Sequence, residues 1–326
     1  MDTPAPNPEA MPGLCHTETP LVSVVLVTWN RREDTLEAVR SVEAQGYRHF
    51  EVVVVDNGST DGTAPALREA YPVVRLVRLD RNLGAAGGRN PGIAAAQGEI
   101  IFLLDSDASL AGDTLDGIVR RFQAEPDLGI ITCRIINAYT SELDGWIFTE
   151  RDKADQHREF ASYSFCSAGC AIRRDVFAHI GTFWERLFIY REEDDLALRA
   201  WDAGYRVIYW PEAVVYHRTS PERRVNDARR QYYDLRNSLY IYLVRYTWWM
   251  LACFVPLKVG LGLVKGIRKR CLGYILRALL DVTREVPSLL EQRHPISNIT
   301  ARRYLRLQRE HGPLRWDLRS WLSYKA

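Results

Sequence analysis

Short, unbroken apolar runs recur through the first part of the chain, separated by stretches in which apolar residues fall three and four apart. "LVSVVLVT" from Leu21 is one such run. "FEVVVVD" ending at Asp56, "IIFLLD" ending at Asp105 and "LGIITCRI" from Leu128 are others, and "VVRLVRL" at 73–79 reads as a further strand carrying Arg75 and Arg78. A β-branched or aliphatic run with no polar alternation predicts a strand buried on both faces. Between the runs, "REDTLEAVRSVEAQ" puts Leu36, Val39 and Val42 on one helical face, a short helix is expected near 64–71, and a further helix precedes Leu128. Strand and helix alternating in this way predict an α/β fold, a mostly parallel sheet with helices on both faces. In such sheets ligands bind beyond the carboxyl ends of the strands. Thr28, Asn30, Asp56, Asp105 and Asp107 all fall at such ends.

Further along, the pattern loosens. Residues 135–163 read as a polar loop insertion, and "FCSAGCAIRRDVFAHIG" as a small-residue strand and a short helix. "YREEDDLALRAWDAG" opens a helix on Glu192, Glu193, Asp194 and Asp195. "YRVIYWPEAVVYHR" reads as two short strands split by Pro211, ending near His217. The stretch "NLGAAGGRNPG" reads as a glycine-rich loop. From 221 onward the pattern is helical and rich in arginine. The expected organisation is a lead-in at 1–20, disordered by its proline content, a catalytic domain at 21–220, and a basic, partly amphipathic helical region at 221–326.

Several of these positions suit chemistry. Hard divalent cations such as Mg²⁺ and Mn²⁺ are usually held by one or two carboxylates together with substrate phosphates. An Asp-Ser-Asp at 105–107 after a buried strand offers that pair, although aspartate is also a common turn and helix-capping residue. Asp56 could accept from a nucleobase N–H, or simply initiate the Asn57-Gly58 turn. Glycines and Arg89 in the 82–92 stretch allow close backbone approach to phosphate. No Gly-Lys-Ser/Thr follows, so it is not a P-loop, and no Gly-x-Gly-x-x-Gly follows the first strand, which counts against a dehydrogenase. Acids at a helix start are favoured by the macrodipole, but four in a row repel, and one facing the sheet edge could be a general base.

Charge changes the picture more than composition does. Residues 1–217 carry 33 acidic and 21 basic side chains, whereas 218–326 carry 8 and 22, within a net +2. An acidic globular part joined to a basic tail suggests an anionic partner for the tail. No nucleic-acid module accompanies it, so no nucleic acid is expected. The six cysteines fit no zinc spacing and are expected to be free thiols of a reducing compartment. The first twenty residues lack Lys, Arg and any apolar run, so no secretory signal is expected there.

Taken in order, "VSVVLVTWNR", "VVVVDNGSTDGT", "NLGAAGGRNPGI", "IIFLLDSDA", "CSAGCAIRRDVFAHIGTF", "YREEDDLALRAWDAGYRVIYWPEAVVYHR" and "YYDLRNSLY" resemble the family-2 glycosyltransferases of the GT-A fold, in the bacterial cell-surface polysaccharide group of rhamnosyl and galactosyl type. The resemblance covers roughly residues 21 to 240. It implies a nucleoside-diphosphate sugar donor, UDP-, dTDP- or GDP-linked. Thr28, Asn30 and Asp56 would hold its base and ribose, with Arg31, Asn82 and Gly84 beside them. Arg89, Asp105 and Ser106 would complete the nucleotide-sugar site. Asp107 would hold a divalent metal, Mn²⁺ or Mg²⁺, with Asp105 and His217 as companions. Glu193 matches the catalytic base and Asp195 the acid at the helix start. Many members have Asp where Glu193 stands, which leaves Glu192 and Asp194 open as the working acid. Trp184 replaces an Asp on the acceptor side.

The implied reaction is metal-dependent and inverting, transferring a sugar to a hydroxyl of a carbohydrate or lipid-linked acceptor during assembly of a surface polysaccharide or glycolipid. Transfer to a polyprenyl phosphate, or a non-catalytic sugar-nucleotide or membrane-binding module, are the alternatives. In the tail, "YTWWMLACFVPL" at 246–257 spans about 18 Å as a helix, short of the ~30 Å bilayer core. Its paired Trp248-Trp249 and flanking bases suit either an interfacial helix or a core helix with a basic face. The expected location is the cytoplasm, peripheral on the inner face of the membrane.

Overall fold

The protein is described by a computed structural model over residues 19–144, 156–218 and 227–311. The proline-rich lead-in up to residue 18 and the middle of the 135–163 insertion lie outside the described residues.

The apolar runs are the strands. β1 (Val22–Thr28), β2 (Phe50–Asp56), β3 (Arg75–Arg78) and β4 (Ile100–Asp105) form a parallel set in the order β3-β2-β1-β4. Register sets Thr28 beside Asp56, and Val27 beside Asp105, so the polar residues that end three runs meet on one edge. The sheet then changes hand. β8 (Gly169–Arg173) runs antiparallel to β4 and to β6 (Leu128–Asn137), and β6 is parallel to β9 (Arg206–His217). The short β5 (Ala108–Leu110) and β7 (Phe160–Ala161) pair antiparallel with β9.

Burial on both faces explains the unbroken runs. Val22, Val24 and Leu26 face α1 (Arg32–Glu43) and α4 (Thr114–Ala124), while Val25 joins a second core on the opposite side. That second core contains α6 (Glu192–Asp202) and parts of α7 (Asp227–Arg245), α8 (Trp248–Arg268), α9 (Leu272–Glu291) and α10 (Asn298–His311). The basic tail is therefore packed on the sheet through Leu235, Tyr246, Met250, Ile275 and Tyr304. Two shorter helices, α2 (Thr63–Ala70) and α5 (Arg174–Ile180), complete the connections around α3 (Gly84–Ala95).

Three expectations are corrected. The stretch "NLGAAGGRNPG" is mostly helix α3, not a loop. Its glycines serve close helix–sheet approach: a Cβ on Gly92 would lie 2.5 Å from a Val25 methyl and 2.8 Å from one of Val55. Pro211 does not split a strand. β9 is continuous, and 211–213 are taken up in a register shift where Cys133 faces Trp210 but Arg134 faces Val214. The apolar stretch of the tail does not end at 257; α8 continues to Arg268, long and apolar enough by length and composition to cross a membrane.

Candidate active site

Two loops and a helix converge on the carboxyl edge of β1, β2 and β4. Asp107, just beyond β4, is nearly buried. Its Oδ2 accepts from Arg31 at 2.6 Å and its Oδ1 lies 3.2 Å from His217 Nε2, at the end of β9. His217 Nδ1 lies 3.2 Å from Asp144. Ligand atoms of Asp105, Asp107 and His217 all lie within 4.8 Å of one another. β5 pairs with β9 so that Ala108 faces His217, which is how residues 110 apart in sequence come to share a corner.

Opposite charges are tightly paired at this corner. Burial opposes ionisation of Asp107, but the hydrogen bond and charge of His217, with the charge of Arg31, outweigh it and hold the carboxyl below its usual range. Burial lowers the His217 pKa, yet hydrogen bonds to Asp107 and Asp144 override it and push it up to about 10. Imidazolium and guanidinium thus balance the carboxylates. Two carboxylates and an imidazole are a donor set suited to Mn²⁺ or Mg²⁺, with nitrogen favouring the former. The residues fit a divalent metal.

The nucleotide-side residues gather alongside. Thr28 is buried, its hydroxyl sharing a hydrogen bond with Thr35 at 2.7 Å. Asn30 adopts a left-handed φ of 52°; its N–H donates to Ser59 Oγ and its Oδ1 accepts from the Thr60 N–H. Asp56 is fully buried. Its Oδ1 accepts from the Ser59 N–H at 2.8 Å, while Oδ2 has no hydrogen-bond partner among the described residues and Arg78 stands 3.7 Å away. An orphaned buried carboxylate oxygen is costly unless a ligand completes it. Ser106 is buried between the two acids of its motif. Asn82 and Gly84 are occupied internally: Asn82 Oδ1 caps the Gly84 N–H at 2.7 Å, and Gly84, at φ 79°, lets the Phe188 backbone approach.

Arg89 joins the two halves of the site. On α3 and almost wholly buried, it donates to Asp105 Oδ1 and to Glu192 Oε1, each at 3.0 Å. The acidic helix α6 therefore faces the Asp-Ser-Asp edge directly.

The four acids of α6 differ in how they are held. Asp195 is fully buried between Arg199 and Arg245, at 2.9 and 2.8 Å, and ties α6 to α7. Asp194 accepts from Ser164 at 2.6 Å and pairs with Arg191 at 2.8 Å. Glu192 is locked on Arg89; burial first, then the charge of Glu193, push its pKa up to about 8 against the pull of Arg89. Glu193 accepts from Ser167 Oγ at 2.5 Å, and its carboxyl is raised by burial, with the charge of Arg89, the Ser167 hydrogen bond and a backbone hydrogen bond opposing.

Sequence reasoning missed the residues that aim α6. Phe188, Tyr190 and Arg191, which directly precede it, have φ of 62°, 69° and 73°. Non-glycine residues hold such values only when their surroundings enforce them. Asn237, fully buried on α7, donates its amide to the carbonyls of Leu187, Ile189 and Tyr190 at 2.8, 2.8 and 2.7 Å. Asp234 grips Arg191 at 2.5 Å. Both lie in "YYDLRNSLY", whose polar residues among tyrosines and leucines were the available signal. Trp184 packs at the core edge, its ring 6.2 Å from that of Tyr240.

Comparison with known proteins agrees with this geometry. The family described as "Glycosyl transferase family 2" matches residues 23–181. The succinoglycan biosynthesis protein ExoO of Rhizobium meliloti is 43% identical over 109 residues, 33% of this chain and 31% of that protein. The N-acetylglucosaminyl-diphospho-decaprenol L-rhamnosyltransferase of Mycobacterium tuberculosis is 26% identical, over 61% of this chain and 76% of that one. The chain spans only 31% and 40% of the length of the first two curated relatives it matches. Among solved structures, a mannosyltransferase from Pyrobaculum calidifontis in complex with GDP-Man and Mn²⁺ superposes with a TM-score of 0.55 at 22% identity, over 92% of this chain and 78% of that one. Sheet order, strand-end site and sequence family agree: residues 23–181 of this chain are a family-2 glycosyltransferase domain, in a GT-A fold.

Proposed function

We propose that this protein is a metal-dependent, inverting glycosyltransferase that moves a sugar from a nucleoside-diphosphate donor to a hydroxyl of a carbohydrate or lipid-linked acceptor, on the cytoplasmic side of the membrane, in the assembly of a surface polysaccharide or glycolipid. The observation that carries this reading is the Arg89 bridge, which brings Asp105 of the Asp-Ser-Asp motif and Glu192 of the acidic helix onto one guanidinium. An acid on the nucleotide edge and the helix of candidate bases thereby meet at one side chain.

Each residue then has a task. Asp56 offers Oδ2, which accepts no hydrogen bond among the described residues, to a base N–H, next to Thr28 and Asn30. Asp107, Asp105 and His217 would hold the divalent cation, which when bound would neutralise charge on the departing diphosphate. Arg31, already on Asp107, lies where it can follow the same charge. Glu193 takes the acceptor proton: among the described residues it is the α6 acid held by a serine hydroxyl and not by an arginine ion pair, and its raised pKa strengthens it as a base. Glu192 and Arg89 position α6, and Asp194 and Asp195 anchor it.

The test is a thermal-shift panel of UDP-, dTDP- and GDP-linked sugars with and without Mn²⁺. One nucleotide class should stabilise the protein in a metal-dependent way, and Asp107→Ala should abolish the effect. Equal shifts in variant and wild type would remove Asp107 from the site.

A further inference from the structure

Helix α8 is inside out for a helix of a water-soluble surface. Its exposed residues from Trp249 to Ile267, taken every third or fourth position, include Trp249, Ala252, Pro256, Leu257, Gly260 and Val264. No charge interrupts them before Lys265. The charged residue in the middle, Lys258, turns inward and donates to Asp234 of α7 at 2.9 Å. Only Met250, Phe254 and Gly266 of the helix are buried, and 17% of its apolar window lies inside the protein. Val264 is 53% and Ile267 65% exposed, and the neighbouring α9 continues the face with Leu276 at 52% and Leu280 at 49%. A contiguous exposed apolar face of this kind marks an interaction site.

The charges around the face are sorted by sign. Helix α8 contains no acid, and its end and the turn beyond it carry Lys265, Arg268, Lys269 and Arg270. On α9 two acids are engaged by the protein: Asp281 accepts from Tyr232 at 2.7 Å and Glu285 pairs with Arg186 at 3.1 Å, while Glu291 at its end is exposed. Arg277 and Arg284 remain exposed. An apolar stripe with tryptophan at one end, rimmed mostly by cations, complements an anionic bilayer surface. A second copy of the chain would have to bring acids to this rim.

We propose that the α8–α9 face docks on an anionic lipid bilayer, with α8 lying in the plane of the interface. A spanning α8 is inconsistent with its packing, because its inner side is taken by α7 and α9, and α7 packs on the catalytic core. A helix so clamped has one face left for lipid. Asp234 holds both Lys258 of α8 and Arg191, the residue before α6. A bilayer against α8 therefore sits at a fixed attitude to the helix that bears Glu193. The inference does not depend on which sugar is moved.

The experiment is co-sedimentation of the full chain with vesicles of phosphatidylcholine alone and of phosphatidylcholine mixed with phosphatidylglycerol. Wild type should partition about ten-fold or more in favour of the anionic vesicles, with the preference falling as salt rises. The double variant Leu257→Glu/Val264→Glu changes only exposed positions, so it should keep its melting temperature while losing vesicle binding. Arg268→Glu/Lys269→Glu should lose the anionic preference. Three results would overturn the proposal: equal sedimentation of wild type and the Leu257/Val264 variant, bound protein that resists alkaline carbonate extraction, or a soluble dimer dispersed by that variant with no vesicle binding.

Discussion

Asn237 provides the sharpest test of how the acidic helix is aimed. Replacing it with alanine removes the amide that serves Leu187, Ile189 and Tyr190. The Leu187 carbonyl keeps the N–H of Ile189 and the Arg236 guanidinium as donors, so the loss falls on the other two. A buried acceptor left unsatisfied costs about 1–3 kcal/mol, and these two contacts are only part-buried, which puts the variant roughly 2–3 kcal/mol below wild type. At roughly 2–4 °C per kcal/mol, the melting temperature should drop by about 4–12 °C. Function should fall further than stability requires, because the left-handed residues 188, 190 and 191 would relax and swing the start of α6. Donor turnover with water as acceptor, measured well below the new melting point, should decline while nucleotide binding persists. Asn237→Asp sharpens the sign. It sets a carboxylate against three carbonyl oxygens, so it should be worse than alanine at pH 8. Its other oxygen keeps the Arg236 guanidinium, which donates to Asn237 Oδ1 at 2.9 Å, so the cost comes from the oxygen set among the carbonyls. A melting temperature within a degree of wild type for Asn237→Ala, or an aspartate variant more stable than the alanine one at pH 8, would refute this account of the loop.

Other outcomes follow from the site. Glu193→Gln keeps the shape and the Ser167 contact but cannot accept a proton, so donor turnover should fall about 10²- to 10⁴-fold with nucleotide affinity retained; Glu192→Gln falling as far with Glu193→Gln unaffected would reassign the base. Because His217 is held protonated up to about pH 10, metal binding must expel its proton, and the Mn²⁺-induced thermal shift should grow from pH 6.5 to pH 9. Without metal the sign is opposite: the raised His217 pKa contributes stability that is full below about pH 6.5 and lost as pH rises through about 10, and His217→Asn should flatten that slope.

Much of the catalytic edge was legible in the residues. Runs such as 22–28 and 100–105 announce strands buried on both faces, and a parallel sheet collects their ends, so Thr28, Asp56, Asp105 and Asp107 could be grouped before any coordinates. The glycines of 84–92 were visible too, but glycine permits both a ligand and a packed β-strand to approach. Composition cannot distinguish them; the Val25 and Val55 methyls against Gly92 do. Likewise "EEDD" names four candidate acids without ranking them. The ranking comes from Arg191 just before α6 and Arg199 within it, together with Arg89 and Arg245, which distant segments bring by packing.

Local pattern, then, determined which elements form and what chemistry stands at their ends, because strand and helix periodicity are written in neighbouring residues. Tertiary structure alone decided which acid is held by a serine and not by an arginine, how Asn237 holds a strained turn in place, and that α8 shows its apolar side to the outside. Those outcomes depend on which distant charges and surfaces fill the space around each side chain, a property that no stretch of sequence carries by itself.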